Sequence, residues 1–339
     1  MATFKIYKLH FTAPLHISDQ HEDDSSSLKT IHSDTLYAAL TSCLAKTGYS
    51  IPPDGDLGFT VSSLFPYYQH FPDSHPVFFL PMPLRSTQME LRDVSKAKKV
   101  KKVQWVDSNL YGDILAGTSF LTDADQMIPY IQEVYLTKET LPVDADGSCE
   151  FMKSEISQRV TLKSRTGDED AKPYYVDKII FRHHAGLYFL AEGDTALLDM
   201  ALRILSVEGI GTDRNVGFGF FDFSADSITL DLPQKADHQL ALSLLIPSSE
   251  EDLNQLLSSD RVAYDFTRRG GWITTYPYTT LRKCAIYGFL PGSVFHKDSE
   301  QDCKPIGKIA CLTPQVGEMT PDHSIWRCGK SIMLPIKLT

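Results

Sequence analysis

Eleven residues of this 339-residue chain constrain its folding more than any others: Gly209-Ile210-Gly211-Thr212-Asp213-Arg214-Asn215-Val216-Gly217-Phe218-Gly219. The glycines fall in two pairs, with Arg214 and Asn215 between them. Glycine adopts positive φ without steric cost and lets another backbone come close, so this loop turns sharply and can lay N–H groups against an anion. Upstream, Thr195 to Val207 carries Leu197, Leu198, Ala201, Leu202, Ile204 and Leu205 and reads as a helix apolar on most sides, hence largely buried. Downstream, Phe218 to Phe223 reads as a strand. Helix, glycines, strand is the reverse of the dinucleotide-binding order, and no Gly-Lys-Ser/Thr follows to make a P-loop. Two readings remain at this point: a tight connector, or a cradle for phosphates and sugars.

The flanking segments suggest what holds the loop. Phe4 to Phe11 is apolar on both alternation phases, as a strand buried on both faces would be. Ser33 or Asp34 is placed to cap a helix through Leu36, Leu40, Cys43 and Leu44 that closes at Gly48. Strand, loop and helix in this order begin a βαββαβ unit. Residues 50–150 read as an insertion with short strands and a helix near Val94 to Val103. Arg159, Thr161, Lys163 and Arg165 share one face of a strand, Gly167 to Asp170 forms a tip, and Tyr174 to Arg182 returns. A second hairpin is expected through His183 to Gly186 into Leu187 to Ala191.

Pro233 to His238 reads as a boundary. Beyond it Leu240 to Ile246 alternates as a strand, Ser248 or Ser249 caps a helix through Leu257, and Val262 to Thr267 and Leu281 to Phe289 are further strands. Ile332 to Leu338 alternates too, with Pro335 fixing it at an edge. The expected fold class is α+β: two tandem ferredoxin-like (RRM-like, βαββαβ) domains with a glycine-rich loop and an inserted basic β-hairpin thumb. Residues 1–236 form the first domain, with insertions at 50–150 and the thumb at 153–182; residues 237–339 form the second.

A net charge of −10 argues against a general duplex binder, which needs broad positive surface. Charge is segregated, however: Arg85, Arg92, Lys96, Lys98, Lys99, Lys101 and Lys102 meet only Glu90 and Asp93, which leaves a binding face or a solvated one. No apolar run reaches membrane-span length and the amino terminus lacks a signal core, so a cytoplasmic protein with no membrane contact is expected. The six cysteines lack zinc-ligand spacing, and Asp19, Glu22, Asp23 and Asp24 lack that of a calcium loop, so neither metal nor cofactor is expected. His16, His32, His183 and His184 are the candidate acid/base groups, yet no third member of a catalytic set accompanies them. Arg268-Arg269-Gly270-Gly271-Trp272 is either a turn around a buried Trp or an RNA contact with a stacking ring.

The loop and its neighbours together resemble the RAMP superfamily of CRISPR proteins. Phe4 to Ser18, Ile31 to Leu40, Gly209 to Gly219, Arg268 to Trp272 and Gly292 to Phe295 are similar, in order, to the fourth subunit of type III-A (Csm) effector complexes. The resemblance implies a non-catalytic, RNA-binding subunit in antiviral defence that holds the 5′ handle of crRNA at the foot of the complex. Its implied partners are the large polymerase/HD-nuclease subunit, a backbone RAMP subunit and, through the complex, target RNA. Gly209, Gly211, Arg214, Asn215, Gly217 and Gly219 would then lie at the handle, Arg159, Lys163 and Arg165 over it, and Ser33, Arg268, Arg269 and Trp272 beside it. The alternatives are a RAMP endoribonuclease that processes precursor crRNA and the equivalent subunit of a type III-B complex.

Overall fold

A computed structural model describes residues 1–18, 27–84, 89–91, 102–118, 120–122, 127–130, 133–139, 141, 151–161, 172–182, 184–297, 304–317 and 320–338. In chain order the described elements begin with β1 (Ala2–Phe11), α1 (Ser33–Lys46), β2 (Phe59–Val61), β3 (Phe65–Tyr68), β4 (Val77–Pro81) and β5 (Met89–Leu91). They continue with β6 (Val103–Asp107), α2 (Ser108–Ala116), β7 (Phe120–Thr122), β8 (Met127–Tyr130), β9 (Glu133–Leu136), β10 (Met152–Thr161) and β11 (Lys172–Phe181). Next come β12 (Gly186–Gly193), α3 (Thr195–Glu208), β13 (Phe221–Leu230), β14 (His238–Ala241), α4 (Glu250–Leu256) and β15 (Phe266–Arg269). Last are β16 (Ile286–Phe289), β17 (Val294–His296), β18 (Ile309–Cys311), β19 (Trp326–Cys328) and β20 (Met333–Ile336). The fold is α+β, mostly strands, with four α-helices among the described residues.

The apolar character of β1 on both faces has its cause in the main sheet, whose order is β13-β1-β12-β3-β4-β6-β9-β8, with β2 also paired to β12. β1 is antiparallel to both β12 and β13. On one face Tyr7 stacks on Phe189 at 5.3 Å and donates its hydroxyl to Asp199 of α3 at 2.5 Å. α1 and α3 lie side by side. α3 itself is amphipathic rather than apolar on most sides: Leu198, Ala201, Leu202 and Leu205 are buried while Met200 and Val207 are exposed.

The middle of the chain is part of this sheet, not an appendage, since β3, β4, β6, β8 and β9 extend it edge to edge. Its helix falls at Ser108–Ala116, where the Asp107 carboxylate accepts the Asn109 N–H and Gly117 closes the end at φ 71°. Val103, expected at the end of a helix, opens a strand instead; residues 92–101 lie outside the described ones. The hairpin expected at 183–191 is replaced by a crossing: β11 pairs with β10, and β12 returns into the main sheet. A bridge between Leu15 and Ile179 ties the β10–β11 hairpin to the segment after β1.

The strand expected over Leu240 to Ile246 stops at Ala241 because the following backbone is shared among several elements. Ser63 N–H donates to Leu242 O, Leu242 N–H to Ile332 O, and Leu245 N–H to Phe289 O. β20 lies at the edge of the sheet β17-β14-β20, which suits Pro335. The main apolar core does not stop at residues 233–238: Leu240, Leu242, Val294, Cys328, Ile332, Leu334 and Ile336 belong to the cluster that contains Ile6 and Leu9. No helix among the described residues is long and apolar enough to cross a membrane. The described cysteines are free thiols, and burial raises Cys43 to about 11 and Cys328 to about 12.

Candidate nucleic-acid interface

The glycine loop closes on itself and on the segment that follows β1. Ile210 N–H donates to Gly219 O at 2.9 Å, Thr212 N–H to His16 O at 2.9 Å, and Gly219 N–H to Pro14 O at 2.8 Å. A Cβ on Gly219 would lie 1.9 Å from Ile210 O, and one on Gly211 2.5 Å from His16 O, both at positive φ. Gly209 meets the backbone of Phe218 and Gly219 in the same way, whereas Gly217, at φ 94°, has open space around it. Three of the four glycines therefore serve protein packing. The N–H groups of Ile210, Thr212, Val216, Gly217, Phe218 and Gly219 are bonded within the protein, so the loop offers side chains more than a bare backbone cradle. Those side chains stand on one 3₁₀ turn, Arg214–Val216, in which Arg214, Asn215 and Val216 are exposed.

The β10–β11 hairpin is latched to this loop. Arg159 of β10 donates to the Asp213 carboxylate at 2.6 Å, and its guanidinium lies 5.1 Å from the Phe218 ring centroid. Asp213 sits at φ 63°, the only non-glycine residue at positive φ among the described ones. Asp177 of β11 braces the hairpin base by accepting from the Ser154 hydroxyl at 2.6 Å and from the Ser27 N–H at 3.1 Å. Arg159 is thus balanced by Asp213, and Lys163 and Arg165 lie outside the described residues.

Near the start of α1 the chain puts two residues to a use the sequence did not suggest. Ser33 is buried; its hydroxyl accepts the Leu244 N–H at 2.9 Å, and its own N–H donates to Ser63 Oγ. The helix N-cap is His32, without a side-chain capping bond, because Ser33 and Asp34 are engaged by the second half of the chain. An RNA contact by Ser33 is ruled out by that burial. Asp34, fully buried, accepts from Arg269 Nε at 2.8 Å and from Arg327 Nη1 at 2.6 Å. Burial alone would raise its pKa; Arg327, Arg269 and His32 outweigh that and hold it at about 2. Arg269 also donates to Thr35 Oγ1, so its guanidinium is fixed in this knot rather than extended to solvent. Beside it burial, Arg327 and Arg269 lower Lys283 to about 8, against the raising effect of Asp34.

Arg268 and Trp272 are exposed, so the Arg-Arg-Gly-Gly-Trp turn does not bury its Trp; Arg282 lies 4.6 Å from the ring centroid. His16 is buried, His32 is half-buried at the helix start, and His184 lines a shallow cavity of about 300 Å³ with Lys8, His10 and Tyr67. His183, the acidic run 19–24 and Lys96 to Lys101 lie outside the described residues. Among the described residues no cluster of His, Cys, Asp and Glu could hold a metal ion.

The family model of the CRISPR Csm4 C-terminal domain matches residues 234–336. The Csm4 protein of Mycobacterium tuberculosis (strain CDC 1551 / Oshkosh) is 27% identical over 292 residues, covering 83% of this chain and 85% of its own. Residues 234–336 thus belong to the Csm4 C-terminal domain family, and over most of its length the chain is similar to Csm4 proteins. In fold it is similar to a chain of the solved Csm1–Csm4 cassette in complex with pppApA, with TM-score 0.56 at 17% identity over 100% of this chain and 99% of that one. A chain of the Csm3–Csm4 subcomplex of the type III-A CRISPR-Cas interference complex gives TM-score 0.55 at 15% identity over 98% and 99%. The matched Csm4 region includes Arg268 to Trp272 and Arg327, while the glycine loop precedes it. Sequence reading missed Asp213 as the partner of Arg159, although an Asp among loop glycines tolerates positive φ and signals a turn. It missed the Asp34–Arg327 pair as well, which joins residues too far apart in the chain for spacing to reveal.

Proposed function

We propose that this Csm4-like chain is a non-catalytic subunit of a type III-A interference complex that grips the 5′ handle of crRNA at the foot of the assembly. It acts in the cytoplasm, beside the large Csm1 subunit and the Csm3 backbone subunit, and meets target RNA only through the complex. One observation carries this reading: a braced glycine loop displays Arg214 and Asn215 on a short turn and is latched through Asp213 to Arg159 of the β10–β11 hairpin. A cation and an amide held out by a braced loop suit sequence-tolerant grip of single-stranded RNA. The strand order β13-β1-β12-β2, with α1 and α3 as crossovers, supports a ferredoxin-like reading of the first unit, with the β10–β11 hairpin as its thumb and residues 237–339 as a second unit. The solved relatives described with Csm1 and Csm3 support the partner assignment.

The test is to co-express the chain with the Csm1 and Csm3 proteins of its own host, purify the complex and sequence the 5′ ends of the bound RNA. Repeat-derived 5′ ends, reduced by Arg214→Ala with Asn215→Ala while the complex still assembles, are the expected result. Wild-type retention in that variant would return the loop to a connector.

A further inference from the structure

The second half of the chain holds a nucleophile and a base that none of the sequence motifs marks. His238 opens β14, the middle strand of the sheet β17-β14-β20, and is 2% exposed. Its Nδ1 lies 2.9 Å from Oδ1 of Asp237, and its Nε2 lies 3.0 Å from Oγ of Ser259. A carboxylate can only accept, so Nδ1 carries the proton; in the neutral ring Nε2 is then bare, and the Ser259 hydroxyl donates to it. Burial would raise the Asp237 carboxyl, but the hydrogen bond with His238 outweighs it and holds the group below the usual carboxylate range. A carboxylate that orients a histidine, which in turn receives the proton of a serine, is the arrangement that makes a hydroxyl nucleophilic.

The fold fixes this geometry from several sides. Register pairs His238 with His296 on one side and Ile336 on the other, and the His296 ring meets the His238 ring edge-on at 6.0 Å, which limits how far the imidazole can turn. Leu256 of α4 packs in the same apolar cluster as Ala241 of β14 and Phe295 of β17, which sets the end of α4 against this sheet. Ser259 follows that end. Its Oγ accepts the Arg261 N–H at 3.1 Å, and Arg261 donates from Nη1 to Leu338 O at 3.1 Å. With that acceptor position filled, the hydroxyl proton is directed to Nε2. Ser259 is half-buried between the exposed Ser258 and Asp260, so a small reagent reaches the hydroxyl while the imidazole stays shielded.

Ser259 stands at the carbonyl end of α4, whose polarity disfavours an oxyanion. A serine so placed reacts once with a donor that carries a good leaving group and does not turn over esters or amides. We infer that Ser259, activated by His238 and Asp237, is a site of O-acylation by acyl phosphates. Ser259 Oγ attacks the carbonyl carbon and forms an ester bond while its proton passes to Nε2 of His238. The C–O bond to phosphate breaks, and the phosphate leaves with the bonding pair and takes the proton from His238. No oxidant or reductant enters. The modification is stoichiometric and uses none of the residues assigned to holding RNA, so it stands or falls apart from that role.

The test incubates the full-length chain with acetyl phosphate and follows acetylation by intact mass and peptide mapping. Ser259 is expected to gain an acetyl group well ahead of the adjacent Ser258, which is exposed but donates its hydroxyl to Gln255 O instead of to an imidazole. Ser259→Ala removes the labelled site, and His238→Gln should slow labelling of Ser259 by about 100-fold or more, the worth of a general base. Because His238 is buried, Asp237→Asn is the second variant. The Asp237 side chain is 62% exposed, so circular dichroism should match wild type while acetylation of Ser259 slows. Equal labelling of Ser258 and Ser259, a Ser259 rate unchanged by Asp237→Asn, or no acetylation of Ser259 in the wild type overturns the inference.

Discussion

Replacing Asp34 with Asn tests whether the knot at the start of α1 holds the two halves of the chain together. In the wild type the buried carboxylate accepts three hydrogen bonds, two from Arg269 at 2.8 and 3.3 Å and one from Arg327 at 2.6 Å. Asn keeps one acceptor and turns an NH₂ toward these donors, leaving two guanidiniums and Lys283 without a counter-charge. Breaking a buried pair on one side costs about 3–5 kcal/mol, so Asp34→Asn should lower stability by that amount and Tm by on the order of 5–10 °C. The pH dependence is a second, sharper signature. Because the folded carboxyl lies at about 2 against 3.8 unfolded, its contribution is complete above pH 3.8 and is lost as pH falls toward 2. The gap between wild type and Asp34→Asn in urea unfolding should therefore narrow by roughly 2–3 kcal/mol across that window, at 1.36 kcal/mol per pKa unit. A variant within 1 kcal/mol of wild type at neutral pH, or a gap that does not change below pH 4, would refute the reasoning.

Among the loop glycines, Gly219→Ala should destabilise far more than Gly217→Ala: the first drives a Cβ into Ile210 O, while the second bears only the left-handed backbone cost of about 1–2 kcal/mol. Denaturant unfolding of the two variants gives the order. A double-mutant cycle on Arg159→Ala and Asp213→Ala should return a coupling of about 0.5–1 kcal/mol, as for a partly exposed pair, and zero coupling would remove the latch. If Lys163 and Arg165 neutralise phosphates, replacing both with Ala should make the salt dependence of RNA binding shallower by roughly 0.7 per lost contact; an unchanged slope would put them elsewhere. Incubated with precursor crRNA or target RNA, with or without divalent metal, the chain should cut neither. Cleavage abolished by His183→Ala or His184→Ala with RNA binding intact would make it an endoribonuclease.

Local chemistry was legible wherever a residue's role depends on its neighbours in sequence. The two-faced apolar run of β1, the cap at Ser249 with its helix, the edge position imposed by Pro335 and the β10–β11 pairing all follow from periodicity, propensity or a missing N–H. The positive φ of the loop glycines also follows from composition, but whether they serve RNA or protein does not. That depended on residues 14–16 coming against the loop, a contact set by the β1–β13 pairing. Only the tertiary structure turned the middle of the chain into sheet strands, since short apolar runs do not say which edge they join. It likewise took Ser33 out of the candidate interface and put Asp34 between Arg269 and Arg327, residues 235 and 293 positions away. A buried charge is tolerated only where opposite charges meet it, and where they meet is decided by how the halves of the chain pack, which no local pattern records.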